Sequence, residues 1–468
     1  MTRMSPELWE RVPAEAQVIF LEMARTIERL EKRVAELEAR LPKTPQNSSL
    51  PPSTQHPHAK PAPRKPKSKK KRGGQPGHAK HARPLIPTKE CADMLPMKPA
   101  KCRRCHTRLS GEDPQPLRHQ VWELPEIKPV VTEYQQHRLI CPGCGETTCG
   151  ELPSGVPASQ SGPRLVAFVG LLMACFRQSK RRTAMFVETV LNIPCCPALT
   201  VKMQRQVTVA ARPAYDELAA QLPREKQLFI DESPTKQAEL KAWLWGAVAS
   251  NYTVFTQRTT RAAVVLDDLL TDKFSGIVNC DRAKMYWQCG RLQWCWAHLK
   301  RDFQALIDHR DHQVKRLGHD LMRPTRKMFS AWARYRDGTI TWRGFQRLMR
   351  PIRQEIDALL LRGVFSGNSR LMGMCDELYQ HREWLWTFLE HQGLELTNNA
   401  AERALRHGVI WRKLSFGTQS AAGSRFVETA LTVIETCRQQ GRNVFDFLTN
   451  AVRNHFSKQP CPSLLAGV

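Results

Sequence analysis

Lys226-Gln-Leu-Phe-Ile-Asp231 and Gly276-Ile-Val-Asn-Cys-Asp281 decide the fold class of this chain. Each is a short apolar run ending on an aspartate, the pattern of a buried strand bounded by polar residues. Between them, Trp243–Ser250 and Tyr252–Thr256 predict two more strands joined at Asn251, a hairpin signal. A helix carrying Trp287 and Trp294 is expected after Asp281, and the pattern from about Cys295 to Leu396 is nearly all helical. The order β-β-β-α-β-α predicts a mixed α/β sheet. If the two Asp-terminated strands are neighbours, their carboxylates meet at one end of that sheet. Two such charges are unfavourable together unless a cation neutralises them. Hard oxygen ligands with open positions select magnesium or manganese. Glu402, in Thr397-Asn-Asn-Ala-Ala-Glu402-Arg-Ala-Leu-Arg406, is the candidate third carboxylate of a two-ion site. Thr397 or Asn398 is the expected N-cap of its helix. The plainer reading of an aspartate at a strand end is a turn or cap residue.

Outside this region the charge stands out. The 468 residues carry 71 Lys+Arg against 44 Asp+Glu, a net charge of +27. Such a surplus rules against an acidic protein of the ligand-binding kind and suggests a polyanion partner, most simply nucleic acid. Twelve of the basic residues fall in 42–89, which has no acid and 11 of the 32 prolines. This segment is expected to be a disordered basic linker. Arg64, Lys65, Lys67, Lys69, Lys70, Lys71 and Arg72 form its densest part and are the expected phosphate contacts. Upstream, Phe20, Met23, Ile27, Leu30, Val34, Leu37 and Leu41 repeat at 3–4 spacing. Residues 1–41 therefore suggest a coiled coil that makes a homo-oligomer, with a helix packed on its own protein as the alternative.

Two CxxC turns follow, Cys102/Cys105 and Cys141/Cys144, separated by 35 residues. Four soft thiolates suit structural, tetrahedral Zn2+, so 90–152 is expected to be a zinc ribbon with strand-like pieces at Val121–Leu124 and Val130–Tyr134. Residues 153–222 suggest a helical domain. The break Asn192-Ile-Pro194 suits a helix-turn-helix or a plain helical hairpin equally, and Arg181, Arg182, Lys202 and Arg205 would meet phosphate in the first case. The longest apolar run, Leu165–Phe176, is 12 residues. A membrane helix needs about 20, so no membrane is expected. Fifteen scattered cysteines fit reduced thiols in the cytoplasm.

The chain resembles the large transposase of the insertion-sequence-66 family, a group of bacterial DDE transposases. The resemblance runs over nearly the whole chain. It is carried by Pro42-Lys-Thr-Pro-Gln-Asn-Ser-Ser-Leu-Pro-Pro-Ser53, Lys71-Arg-Gly-Gly-Gln-Pro-Gly-His78, the CxxC turns, the two Asp motifs and Cys295-Trp-Ala-His298. The most specific matches are Thr397–Arg406, Trp411-Arg-Lys-Leu-Ser-Phe-Gly-Thr418 and Thr436-Cys-Arg-Gln-Gln-Gly441. The resemblance implies an RNase H-like catalytic domain over 223–450, with a helical insertion at about 300–390 and a C-terminal tail at 451–468. It implies that Asp231, Asp281 and Glu402 are the catalytic triad. Cys295 and His298, with Asn398 and Asn399, would support it, the alternative for the first two being a buried Cys and a satisfied His.

The implied activity is DNA strand cleavage and transfer at the inverted-repeat ends of an insertion sequence, with two Mg2+ (or Mn2+) ions at the site. DNA, as element ends and target, is the implied partner, and such a protein would be nucleoid-associated when bound. Arg403, Arg406, Arg412 and Lys413 would extend the DNA track, and Lys284 and Tyr286 are weaker candidates. Many family members follow the second Asp with Gly-Tyr. Here Asp281-Arg-Ala-Lys-Met-Tyr286 departs from that, which puts the need for accessory transposition proteins in doubt. Two other classes remain open at this point: a zinc-ribbon DNA-binding regulator, and a domesticated RNase H-like nuclease that cuts without joining.

Overall fold

In a computed structural model the described residues are 12–39 and 83–465. Helix α1 (Ala14–Ala39) forms where the heptads predict it. Met23, Ile27 and Leu30 of its seam are exposed on the single chain. Leu41 and the basic cluster Arg64–Arg72 lie outside the described residues.

Residues 90–152 are almost entirely exposed. The strands are β1 (Arg138–Ile140) and β2 (Thr147–Cys149), an antiparallel pair around the second CxxC turn. Val121–Leu124 and Val130–Tyr134 are not strands, contrary to expectation. Val121, Leu124, Val130 and Val131 stand exposed with no facing ladder, and a unit this small buries too little to align them.

Three helices follow: α2 (Pro163–Ala174), α3 (Lys180–Leu191) and α4 (Pro197–Gln221). Asn192, left-handed at φ 55°, ends α3, and its side-chain amide donates to the Ile127 carbonyl at 2.9 Å. Arg181, Arg182, Lys202 and Arg205 are all exposed.

The main sheet has the order β5-β4-β3-β6-β7. Strands β3 (Gln227–Gln237), β4 (Leu240–Val248) and β5 (Thr253–Arg258) form an antiparallel meander. After α5 (Val264–Leu270) the chain crosses to the other side of β3, where β6 (Ile277–Cys280) and β7 (Leu292–Trp294) add in parallel. The fold class is thus mixed α/β, with two corrections to the expected elements. Strand β3 runs six residues past Asp231, because it stays paired to β4 as far as Gln237. The expected helix at Trp287–Trp294 is instead a short 3-10 turn (Lys284–Cys289) and the three-residue strand β7. So short a buried strand has no period to distinguish it from a helix.

Helices α6 (Trp296–Ile307), α7 (His312–Arg336), α8 (Trp342–Val364), α9 (Ser369–Gln380) and α10 (Glu383–Trp386) form the insertion. They cover the β7 edge: Phe388 N–H donates to Gln293 Oε1 at 2.7 Å, and the Trp296 indole donates to the Leu385 carbonyl at 2.7 Å. Helix α11 (Asn399–Ser415) lies on one face of the sheet, packing Ala401, Ala404 and Leu405 on Phe229, Leu244, Val248 and Phe255. A Cβ on Gly408 would stand 2.2 Å from Leu244 Cδ2, so this close approach requires glycine. The opposite face, with Leu228, Ile230, Trp245 and Val278, joins the large core that includes α2 and α4.

Helix α12 (Ala421–Gln439) seals the β5 edge in an unusual way. The outward N–H groups of Thr253, Phe255 and Gln257 donate to Thr436 Oγ1 (3.2 Å), Thr432 Oγ1 (2.9 Å) and Glu428 Oε1 (2.8 Å). Ser424 continues the stripe by accepting from the Gln257 side chain at 3.0 Å. Helix residues four apart rise about 6 Å, close to the roughly 6.8 Å two-residue step of a strand, so side chains stand in for a missing sixth strand. Helix α13 (Val444–Phe456) then packs beside α2 and α4. The expected boundary at 450 therefore falls inside a helix, and Leu464 beyond it is fully buried.

Candidate active site

The register of β3 and β6 places the two aspartates. Phe229 lies opposite Asn279; two residues further along the same register are Asp231 and Asp281. Side chains alternate along a strand, so Asp231 shares a face with Phe229, the face on which α11 packs. The strands diverge here: β6 ends at Cys280 while β3 continues with β4. Both carboxylates therefore sit where the parallel half of the sheet opens. Asp231 Oδ1 accepts the Glu232 N–H at 3.0 Å and Asp281 Oδ1 accepts the Ala283 N–H at 2.8 Å. Burial, then Glu232, Asp281 and Glu402, hold the Asp231 carboxyl well above the usual range. A cation among these oxygens would reverse that penalty, so the donor set suits a hard divalent ion.

Glu402 comes from the first turns of α11, across the cleft. Its Oε1 accepts from Arg301 Nη2 at 3.2 Å and lies 3.6 Å from His298 Nε2. Among the described residues, the three metal-capable side chains whose ligand atoms all lie within 4.8 Å of one another are Cys295, His298 and Glu402. Glu402 thus meets α6 through Oε1 while its charge still bears on Asp231. His298 stays neutral: burial, then Arg301 and Arg282, lower its pKa to about 3.

Asn398 ties these parts together. It occupies the N-cap position of α11, but its side chain does not cap the helix. Its amide donates instead to the Ile230 carbonyl at 2.7 Å, one residue before Asp231, while its backbone N–H donates to Cys295 Sγ at 3.1 Å. Asn399 is exposed.

Several residues here escaped the sequence reading. Glu232 has a nearly fully buried side chain and accepts from the Tyr286 hydroxyl (2.5 Å) and from Arg261 (2.7 Å), bracing β3 from its other face. Arg282, part of the departure after the second Asp, bridges Asp302 and Glu377 at 2.9 Å each and so anchors α6 and α9 beside Asp281. Arg301 lies three residues after His298 and carries no separate signal in the sequence. Lys284 is exposed, with its ammonium 5.4 Å from the Trp287 ring centroid.

Arg403 and Arg406 are exposed on α11, whereas Arg412 donates to the Pro234 carbonyl and so is turned onto the sheet. Lys413 is exposed at the end of the helix.

The CxxC turns match each other. Cys102 N–H donates to the Thr107 carbonyl and Cys141 N–H to the Glu146 carbonyl, both at 2.8 Å. His106 and Gly145, each next after a second cysteine, both have positive φ. Cys105 is lowered to about 7, first by the Thr107 hydroxyl. The backbone N–H groups of Gly143 and Cys144 lower the Cys141 thiol in the second turn. Each turn thus gathers two thiols. Cys102 and Cys105 of the first turn and Cys141 and Cys144 of the second are not gathered into one cluster of ligand atoms. Cys105, Cys141 and Cys144 are exposed, and Cys102 is half-buried.

The profile of the family described as Transposase IS66 family matches residues 158–425, more than half of the chain. The chain belongs to the IS66 transposase family. A second profile, described as a family of unknown function, matches residues 5–84. A curated relative, "Uncharacterized protein y4qI" of Sinorhizobium fredii, is 25% identical over 275 residues, 51% of this chain and 49% of its own length. The chain therefore spans about half the length of that relative. Among the described residues no helix is long and apolar enough to cross a membrane.

Proposed function

We propose that this IS66-family chain is a DNA transposase that cuts and rejoins DNA at the ends of an insertion sequence. The observation that carries the proposal is the placement of Asp231 on β3 and Asp281 just past the end of the neighbouring parallel strand β6, with Glu402 across the cleft on α11. The strand order, an antiparallel meander extended by two parallel strands, supports an RNase H-like catalytic unit.

Two magnesium or manganese ions held by Asp231, Asp281 and Glu402 would supply an activated water or DNA 3′-hydroxyl and stabilisation of the leaving oxygen. The protein's own part is positional. Asp231 and Asp281 offer anionic oxygens pinned by backbone N–H groups. Asn398 keeps the helix of Glu402 tied to the strand of Asp231. Arg301 neutralises Glu402 until that carboxylate turns into the cleft. Arg403 and Arg406 then lie on the same helix to meet backbone phosphates.

The remaining domains complete this reading. The α1 seam would pair copies of the chain so that two DNA ends are handled together, and the 42–89 arm would run along phosphates. Structural zinc would draw Cys102 and Cys105 against Cys141 and Cys144, since metal binding and folding are coupled in units with little core. The test is a cleavage and strand-transfer assay on DNA carrying the element ends. Asp231→Ala, Asp281→Ala and Glu402→Ala should each lose cleavage while still binding the ends. Cleavage at the wild-type rate by any of the three rejects the triad.

A further inference from the structure

We propose that Cys295, His298 and Glu402 form a second metal site, for a zinc-class cation, which competes with the catalytic reaction for Glu402. This rests on the reading of Glu402 given above. The Cys295 sulfur, a His298 ring nitrogen and a Glu402 oxygen lie within 4.8 Å of one another, already gathered on the N-terminus of α6 and the first turns of α11. Sulfur, imidazole and one carboxylate are the donors of zinc rather than magnesium, which takes oxygen.

A backbone hydrogen bond orients the sulfur of Cys295. Cys295 is almost fully buried, and its sulfur accepts the Asn398 N–H at 3.1 Å. Such outer hydrogen bonds orient ligands and stabilise charge on sulfur. The His298 imidazole turns Nε2 toward Glu402, 3.6 Å from its Oε1. Arg301 holds Oε1 of Glu402, the oxygen 3.6 Å from His298 Nε2, and is the competing cation. Binding releases the Cys295 proton to solvent and leaves one coordination position for water. With Glu402 held this way, its oxygen is withdrawn from Asp231 and Asp281, so zinc inhibits a reaction that magnesium supports.

The experiment titrates Co2+ into full-length protein given a single equivalent of zinc, which the four thiols of the CxxC turns take first, and follows the near-ultraviolet sulfur-to-cobalt charge-transfer band. One further equivalent of Co2+ should develop this band in wild type, resist a large excess of Mg2+, and fail to do so in Cys295→Ser. His298→Gln should weaken the binding by roughly tenfold or more, as loss of a ligand requires. A band of unchanged intensity in Cys295→Ser overturns the site. In parallel, Zn2+ added to the Mg2+-dependent cleavage assay should slow wild type more than Cys295→Ser. Cobalt binding without zinc inhibition overturns the competition for Glu402. A wild type that never cleaves DNA strikes the proposed function but leaves the cobalt result standing.

Discussion

Asn398 offers the sharpest test of how the fold serves the site. It is fully buried and makes one side-chain hydrogen bond, from its amide to the Ile230 carbonyl at 2.7 Å. Its other polar atom, Oδ1, has no partner. Asn398→Leu keeps the volume but removes the donor, leaving the Ile230 carbonyl buried and unpaired. That loss costs about 1–3 kcal/mol. Removing the unpartnered Oδ1 relieves part of it, so the net effect should sit near the lower end. Urea denaturation would read this as a shift in midpoint at unchanged slope.

A loss of this size leaves the protein folded at 25 °C, so cleavage can be measured separately. Freed from β3, α11 carries Glu402 out of register with Asp231, and a misplacement of about 1 Å costs on the order of 100-fold in rate. Cleavage should thus fall by roughly 10- to 100-fold, with DNA affinity unchanged. A variant that loses stability but cleaves at the wild-type rate would falsify the positioning role.

Three further outcomes follow from the same geometry. The raised Asp231 carboxyl costs the metal-free protein stability as pH climbs from the unfolded pKa through the folded one. Asp231→Asn should therefore raise the metal-free melting temperature at pH 8, with the gain shrinking toward acid pH and on adding Mg2+ to wild type. Thr432→Val leaves the Phe255 N–H unpaired in the core and should cost about 1–3 kcal/mol, whereas Thr432→Ser, which keeps the acceptor, should cost less; equal losses in calorimetry would contradict the side-chain ladder. Removing residues 1–41 should convert the oligomer to monomer by light scattering, and a surviving oligomer would place the contact elsewhere.

The catalytic half of the fold was legible because its signals are local. Apolar runs ending at Asp231 and Asp281 mark strands whatever surrounds them, and Thr397–Arg406 is a strong helix former. The register that joins the two aspartates is not local, and only the β3–β6 pairing supplies it. Strand β7 was missed because Leu292-Gln-Trp294 is too short to carry a period. Arg301, Glu232 and Arg282 were missed as site residues because a charged residue on a helix or strand reveals nothing of its partner 20 to 100 residues away. The pairing of Cys141 with Cys144 was legible for the same local reason as the strands, because CxxC is a single turn. Bringing that turn to Cys102 and Cys105 needs contacts across 35 residues, which no local pattern encodes. The role of Asn398 was misjudged for a related reason. An asparagine before a helix reads as a cap, and the competing Ile230 carbonyl belongs to a different part of the chain.

The side-chain ladder on β5 has a consequence for how the protein is made. Thr253 leaves the ribosome 183 residues ahead of Thr436, its partner. At roughly 5–20 residues per second, translation of that interval takes about 10–35 s. Throughout it the newborn sheet has an open edge of unpaired N–H groups, the surface on which aggregation starts. A message truncated anywhere between the codons for 402 and 424 would yield a chain that contains all three candidate carboxylates yet cannot finish its sheet. Synthesis of the segment after Glu402 is therefore the step that makes the rest of the protein safe.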